Sequence, residues 1–313
     1  MKNKKSLLII GATGFFGKTI LNFILNNYYY KKKFSHIFLL SRNPEKLKIS
    51  HNTKNKINIK YIKRDIHKAK SLPYADYVLY LATSSNSKKD YEAISNYVKI
   101  AQIIHKKSKI LFTSSGAVYG VQPVSLESFD EKYLTKKIIP YDKGYKKNYS
   151  KYKMLSEKKF LDLGKKNYKV TIARCFTFVG RYLPTNKNFV VGNIMNQILN
   201  NKTISLKANY LVMRSFMYDQ DMARWILKIL FNAGSDCPIY NLGSDNAISV
   251  QKLIKMLSSK FNLPYKIKKI TNKKKIDKYV PNINLIKKKL DLDIKTNSFE
   301  AVCRTIENLK LNL

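Results

Sequence analysis

The sequence has few of the residues that build disulfide frameworks and metal sites. Among 313 residues there are only three cysteines and four histidines. The cysteines have no C-x-x-C spacing and the histidines form no H-x-x-x-H pair, so neither disulfides nor a zinc site are indicated. So few cysteines fit a reducing compartment best.

Long hydrophobic runs are also lacking, since no stretch reaches the roughly 18 apolar residues of a membrane span. The start, "MKNKKSLLIIGATGFF", imitates a signal peptide, but its apolar run ends at Gly11 and no small-residue cleavage site follows. We therefore expect a cytoplasmic protein with no membrane partner.

Acidic residues are scarce, because Asp and Glu number 20 against 60 Lys and Arg, a net charge of +40. Such an excess suggests nucleic acid, an anionic surface or a phosphorylated small molecule as partner. The basic residues are scattered along the whole chain, without a basic tail or an interleaved aromatic module. Nucleic acid is therefore not expected as the main partner.

Short apolar runs alternate with amphipathic segments over the first 175 residues. This rhythm is typical of a parallel sheet covered by helices on both faces, and it predicts a doubly wound α/β Rossmann sheet. From about Phe176 the rhythm breaks, which predicts a smaller, partly discontinuous C-terminal region. We expect an NAD(P)-binding domain at 1–175, with a return segment near 214–245, and a substrate-binding region at 176–313.

Glycines Gly11, Gly14 and Gly17 follow the first predicted strand and open a helix. Missing β-carbons permit a tight turn and let a pyrophosphate approach the helix N-terminus, so the turn predicts dinucleotide binding, with a purely structural turn as the alternative. The contacts expected from this turn are Gly11, Thr13, Gly14, Phe15, Phe16 and Gly17.

The end of the second predicted strand selects the cofactor. An acidic residue there would bind the ribose 2′-hydroxyl of NAD, whereas the sequence has Ser41 and Arg42. Arg42 can pair with a 2′-phosphate, so NADP is expected, with NAD possible and a solvated arginine as the alternative. Asp65 either faces the adenine or caps a helix. The other contacts expected after the third and fourth strands are Ile66, Leu81, Ala82 and Thr83.

Tyr149 and Lys153 are one of five Tyr–Lys pairs spaced four residues apart, so the spacing alone is not diagnostic. Only this pair begins a predicted helix between the serine-bearing strand and a sixth strand. Its nearest rival, Tyr133 with Lys137, is followed by Pro140, which ends any helix there. A spacing of four puts both side chains on one helical face.

Several motifs in register resemble a known family. They are the glycine turn, "TSSGAVYG" (113–120), the Tyr149/Lys153 pair, "RCFTFVG" (174–180) and "RSFMYDQDMAR" (214–224). Together they resemble the extended short-chain dehydrogenase/reductases, and more narrowly the NAD-dependent epimerase/dehydratase family that includes UDP-galactose 4-epimerase. The resemblance runs from Leu7 to about Leu290.

The resemblance implies roles for three catalytic residues. Tyr149 exchanges a proton with a sugar hydroxyl or carbonyl while nicotinamide C4 exchanges a hydride, and Lys153 favours the phenolate form. Both are also expected to contact the cofactor. Ser115 hydrogen-bonds the same substrate oxygen, with Ser114 as the alternative because a shift of one residue in register would exchange them.

Substrate contacts are implied in the same way. Arg214 matches the family's arginine that binds the nucleotide diphosphate, and a structural ion pair is the alternative role. Thr177 stands where the family usually has asparagine, and Asn188 and Asn193 lie where the family contacts the substrate. The interval from Ser115 to Tyr149 is long, and its extra loop, at about 126–147, is a candidate substrate cover.

These features predict reduction of a 4-keto (deoxy)sugar nucleotide with NADPH. The resemblance also implies a homodimer paired through helices near 88–107 and 149–166. The alternative is a nucleotide-sugar 4-epimerase with retained cofactor. Gly116 and Ala117 stand where family dehydratases carry an acidic residue, which disfavours 4,6-dehydration. A non-catalytic Rossmann regulator is a further alternative.

Overall fold

The structure is a computed structural model that describes residues 4–47, 57–135, 138–142, 144–184 and 189–311. Its elements, in chain order, are β1 (Lys5–Ile10), α1 (Phe15–Asn26), α2 (Tyr28–Lys33), β2 (Phe34–Ser41), β3 (Asn58–Lys63), β4 (Tyr77–Tyr80), α3 (Ser87–Ile104), β5 (Lys109–Ser115), α4 (Tyr145–Gly164), β6 (Lys169–Cys175), β7 (Phe178–Val179), α5 (Val190–Leu199), β8 (Ile204–Leu206), β9 (Leu211–Ser215), β10 (Met217–Tyr218), α6 (Asp219–Phe231), β11 (Ile239–Leu242), β12 (Ala247–Ser249), α7 (Val250–Phe261), β13 (Tyr265–Ile267), β14 (Ile276–Tyr279), α8 (Asn284–Leu290) and α9 (Ser298–Lys310).

The central sheet has seven strands in the order β11-β6-β5-β4-β1-β2-β3. Strand β1 pairs in parallel with both β2 and β4, so the chain winds outward in both directions from β1. Residues Leu7 to Ile10 are completely buried, as expected for a strand covered by helices on both faces. The predicted doubly wound Rossmann sheet is confirmed. Its topological switch point, where such sheets bind ligands, lies between β1 and β4.

The chain divides into two compact units. The first comprises residues 1–118, 140–175 and 223–240, and the second comprises 119–139, 176–222 and 241–313. The core of the first unit holds large aromatic side chains, with Phe112 of β5 stacked on Phe160 of α4 at 4.5 Å between ring centroids. This stack packs α4 against the strand that carries the predicted serines.

Helix α4 begins at Tyr145, so the prediction that Tyr149 begins the helix is wrong by one turn. Gly144, with φ +76°, is the N-cap residue immediately before the helix. Such a left-handed backbone favours glycine, so the glycine marks the boundary better than the tyrosine does. Tyr149 therefore lies in the second turn, where its own peptide is already held in the helix.

The second unit has its own core around three small sheets, β12-β9-β14, β13-β8 and β10-β7. Helices α5, α7 and α9 supply most of its buried aliphatic side chains. The early part of the predicted covering loop is anchored within this unit. Phe129 is fully buried, its N–H donates to Val280 O at 3.0 Å, and its carbonyl accepts from Asn282 N at 2.7 Å.

No helix within the described ranges combines the length and the apolar character that crossing a bilayer would require.

Candidate active site and cofactor site

The turn after β1 lies at the switch point of the sheet. Leu40 O accepts hydrogen bonds from Gly11 N at 2.9 Å and from Ala12 N at 3.1 Å. Gly11 has φ +91°, and a β-carbon there would stand 2.7 Å from Ala82 N. Only glycine therefore fits between the ends of β2 and β4.

The other two glycines differ in what surrounds them. A β-carbon on Gly17 would lie 2.6 Å from Ala12 Cα, so Gly17 lets α1 pack against the turn. A β-carbon on Gly14 would approach only Gly11 O, at 3.3 Å, so the side facing away from the protein is open. Gly14 is also the N-cap of α1, and neither a side-chain cap nor an acidic first-turn residue competes for the helix terminus. This arrangement fits a pyrophosphate.

The structure brings the predicted glycine-turn residues together, with Thr13 half-buried and the rings of Phe15 and Phe16 in edge contact at 5.6 Å. The end of β2 adds an open guanidinium, since Arg42 is exposed. Beside it, the hydroxyl of Ser41 is buried and has no hydrogen-bond partner among the described residues.

The side chains of the residues after β3 make contacts within the protein. Asp65 Oδ1 accepts from His67 N at 3.0 Å, which is the capping role that was the alternative to adenine contact. The side chain of Ile66 belongs to the core, and its carbonyl accepts from Asn96 Nδ2 at 2.8 Å. Any cofactor contact of Ile66 would therefore use its backbone.

The loop after β4 is fixed by a carboxylate. Leu81 N donates to Ile10 O at 2.9 Å, which keeps Leu81 and Ala82 next to the glycine turn. Asp90 accepts from Thr83 Oγ1 at 3.1 Å and from Ser84 N at 2.9 Å. The hydroxyl predicted to meet the cofactor is therefore oriented by Asp90, a residue that sequence reasoning missed.

Lys153 is buried, and its ammonium donates to Thr113 O at 3.0 Å. Its Nζ lies 5.8 Å from the ring centroid of Tyr149 and 5.1 Å from that of Phe112. The predicted pair therefore does share one face of α4. The ammonium is held close to the half-buried phenol ring by the backbone of β5, in the low-dielectric setting where charges interact most strongly.

Two adjacent serines at the end of β5 have different surroundings. Ser114 Oγ donates to Glu157 Oε1 at 2.5 Å, in a buried site. Ser115 Oγ accepts from Ala117 N at 3.2 Å, and its own proton meets no acceptor among the residues that the structure describes. Both serines are buried, but within the described part of the chain only Ser114 is bound to a carboxylate. The assignment of Ser115 as the polarising hydroxyl stays a prediction, and this geometry favours it over Ser114.

Two further side chains lie near the Tyr149–Lys153 pair. Tyr145 stacks on Tyr149 at 5.6 Å between centroids, a contact that sequence reasoning missed because the helix was expected to start later. Burial, with the nearby Tyr149 and Asp90, raises the pKa of the Tyr145 phenol. Burial raises the pKa of the Cys175 thiol to about 12, partly opposed by Lys153, so this cysteine supplies no thiolate.

Apart from Ser115, the predicted substrate residues that the structure describes belong to the second unit. The Arg214 guanidinium pairs with Asp277 Oδ2 at 2.8 Å and donates to the carbonyls of Met213 and Asp277. This ion pair is the alternative given for Arg214, and binding of a diphosphate stays a prediction. Thr177 is half-buried, Asn193 is exposed on α5, and Asn188 lies outside the described residues.

A known protein family matches most of the chain. A family model described as the NAD dependent epimerase/dehydratase family matches residues 7–243. No curated protein sequence matches the chain significantly.

Solved structures resemble the chain over almost its whole length. The dTDP-glucose 4,6-dehydratase of Bacillus anthracis, in complex with NAD, has a TM-score of 0.75 at 16% identity, covering 98% of this chain and 97% of that one. The UDP-N-acetylglucosamine 4-epimerase of Methanobrevibacter ruminantium has 0.75 at 17% identity, covering 99% and 100%. The UDP-glucuronic acid 4-epimerase of Bacillus cereus, with UDP-glucuronic acid and NAD, has 0.75 at 16% identity, covering 98% and 100%.

At such low identity these similarities support the fold. The family model, in contrast, spans most of the chain and includes the glycine turn, the Tyr149–Lys153 pair and the serines of β5. The protein belongs to the NAD-dependent epimerase/dehydratase family.

Proposed function

We propose that this protein reduces a 4-keto (deoxy)sugar nucleotide with NADPH. The observation that carries the proposal is the buried Lys153 ammonium, fixed to Thr113 O and set beside the ring of Tyr149. A tyrosine next to a fixed cation is suited to proton transfer at a substrate oxygen. The unit that contains the glycine turn binds the cofactor, and the second unit binds the sugar nucleotide.

In the proposed reaction the hydride comes from the cofactor and the proton comes from the protein. When bound, NADPH supplies a hydride to the carbonyl carbon of the sugar. The phenol of Tyr149 gives its proton to the carbonyl oxygen as that oxygen becomes a hydroxyl. Lys153 stabilises the phenolate left behind, and Ser115 donates a hydrogen bond to the same oxygen.

The preference for NADPH depends on Arg42, which is exposed at the end of β2. We expect Arg42→Ala to raise KM for NADPH by about 10–100-fold, because a charge-assisted contact with the 2′-phosphate is lost. KM for NADH is expected to stay within about threefold. Steady-state kinetics with both cofactors measure this, with Lys46→Ala, an exposed cation close by in sequence, as control. Equal losses with both cofactors would contradict the role of Arg42.

Arg214 is proposed to bind the nucleotide diphosphate. Three of its N–H groups are engaged with Met213 and Asp277, and the other two meet no acceptor among the described residues and can bind a phosphate. The Asp277 carboxylate then holds the guanidinium in a fixed orientation. Homodimer formation and a cytoplasmic location stay predictions from the sequence.

A nucleotide-sugar 4-epimerase with retained cofactor is the second candidate, favoured by similarity to proteins described as 4-epimerases. Dehydration is less favoured, since Gly116 and Ala117 in the 3-10 helix after β5 bring no carboxylate next to Ser115. Incubation with a panel of 4-keto nucleotide sugars tests the choice. One NADPH consumed per product supports the reductase, whereas cofactor that copurifies and is not consumed supports the epimerase.

A further inference from the structure

A buried polar cluster joins the helix of the Tyr149–Lys153 pair to the sheet. Ser114, Glu157 and Arg174, which we call the α4 clamp, are each only 3% exposed. Glu157 Oε2 accepts from Arg174 Nη2 at 2.8 Å, and Glu157 Oε1 accepts from Arg174 Nε at 3.0 Å and from Ser114 Oγ at 2.5 Å. One carboxylate is thus held at both oxygens.

The clamp joins β5, β6 and α4 through three side chains that meet at the same position along the two strands. Ser114 on β5 and Arg174 on β6 are register partners, so their side chains leave the sheet side by side. Glu157 meets both from α4. Since Glu157 follows Lys153 by four residues, the two side chains lie one turn apart on the same face. The clamp therefore fixes where Lys153 and Tyr149 stand along β5.

A gain in the free energy of folding is a poor explanation for such a buried polar cluster. A buried ion pair usually gains little over apolar side chains of similar volume, because desolvation offsets the attraction. Bidentate hydrogen bonds do, however, fix distance and angle, which apolar packing does not. A well-satisfied buried network can thus define a helix position without adding stability.

We propose that the α4 clamp is a positioning device for proton transfer, a proposal that rests on the proposed function. It holds α4 at the position along β5 at which Lys153 Nζ reaches Thr113 O, and the Tyr149 ring centroid lies 5.8 Å from the same nitrogen. A displacement of about 1 Å at a reacting group can reduce rate about 100-fold. Ser114, Glu157 and Arg174 touch no reacting atom in this scheme and act through Tyr149 and Lys153.

The test replaces the clamp with apolar side chains in the triple variant Ser114→Ala, Glu157→Met and Arg174→Met. No clamp charge or hydroxyl is then left unpaired, so the thermal midpoint is expected to match or exceed that of the native protein. The expected loss is about 10–100-fold in kcat. The Kd for NADPH is expected to rise less than kcat falls, by about tenfold at most, because the glycine turn is untouched and only the cofactor contacts of Tyr149 and Lys153 are displaced. Amides of α4 are expected to exchange hydrogen faster than in the native protein.

A buried serine before β5 provides the matched control. Ser108 is fully buried and its hydroxyl donates to Ala75 O at 2.5 Å, a contact as short as that of Ser114. Ser108→Ala is expected to lower the thermal midpoint while kcat stays within about twofold. A purely structural clamp would instead make kcat follow the midpoint in both variants.

The outcomes separate the two proposals. A triple variant with native kcat and native hydrogen exchange in α4 overturns the positioning role. Full turnover in Tyr149→Phe overturns the proposed function, whatever the clamp variants do. In that case exchange in α4, which needs no substrate, still decides whether the clamp holds the helix.

Discussion

Tyr149→Phe is expected to lower kcat by about 10²–10⁴-fold, the usual contribution of a positioned general acid. The substitution removes the phenol O–H and keeps the ring, so the stack on Tyr145 and the nearby Lys153 ammonium are retained. Cofactor affinity is therefore expected to change by less than about threefold. Turnover of a 4-keto nucleotide sugar and titration of NADPH fluorescence measure the two quantities.

Tyr145 offers a matched control one turn earlier on the same face of α4. Its ring is the stacking partner of Tyr149, and more than half of its surface is exposed. Tyr145→Phe removes the same atom from an adjacent ring and is expected to leave kcat within about threefold. If both variants lose activity equally, or if Tyr149→Phe keeps native turnover, Tyr149 is not the proton donor.

Gly11→Ala is expected to abolish measurable cofactor binding and to destabilise the first unit. The backbone at φ +91° disfavours a side chain, and the new β-carbon would lie 2.7 Å from Ala82 N. Strain of this kind costs about 1–3 kcal/mol, and the turn must also move away from β4 to relieve it. Thermal unfolding and NADPH titration measure the two effects.

Two other glycines separate strain from loss of the binding surface. Gly14→Ala meets only Gly11 O at 3.3 Å, so its thermal midpoint is expected to stay near native while NADPH affinity falls by about 10-fold or more. Gly144→Ala has φ +76° with open space around it, so strain is expected without loss of affinity. Native affinity in Gly14→Ala would contradict pyrophosphate binding at this turn.

The sheet and the glycine turn could be predicted because their determinants are local. Residues Leu7 to Ile10 of β1 are fully buried, and Gly11 at its end has no alternative that fits beside Ala82. The pairing of Tyr149 with Lys153 follows from helical spacing, and the structure retains it. In each case neighbouring residues in sequence carry the information.

Partners that come from distant parts of the chain could not be predicted. Asp277 lies 63 residues from Arg214, and Glu157 meets Ser114 across 43 residues. The spacing of Glu157 four residues after Lys153 was a signal for the clamp, but it does not identify Arg174 as the partner. The start of α4 was missed for a different reason, since the left-handed φ of Gly144 is not encoded in hydrophobic periodicity.

Transfer of deuterium from the cofactor to the sugar shows whether NADPH donates the hydride in this protein. The protein would be incubated with a 4-keto nucleotide sugar and NADPH in which both hydrogens of nicotinamide C4 are deuterium, and the product examined by mass spectrometry and NMR. One deuterium is expected at sugar C4 for each NADPH consumed, and Tyr149→Phe is expected to lose this transfer. Product formed without label at C4, or no oxidation of NADPH with any sugar of the panel, would contradict the proposed reduction.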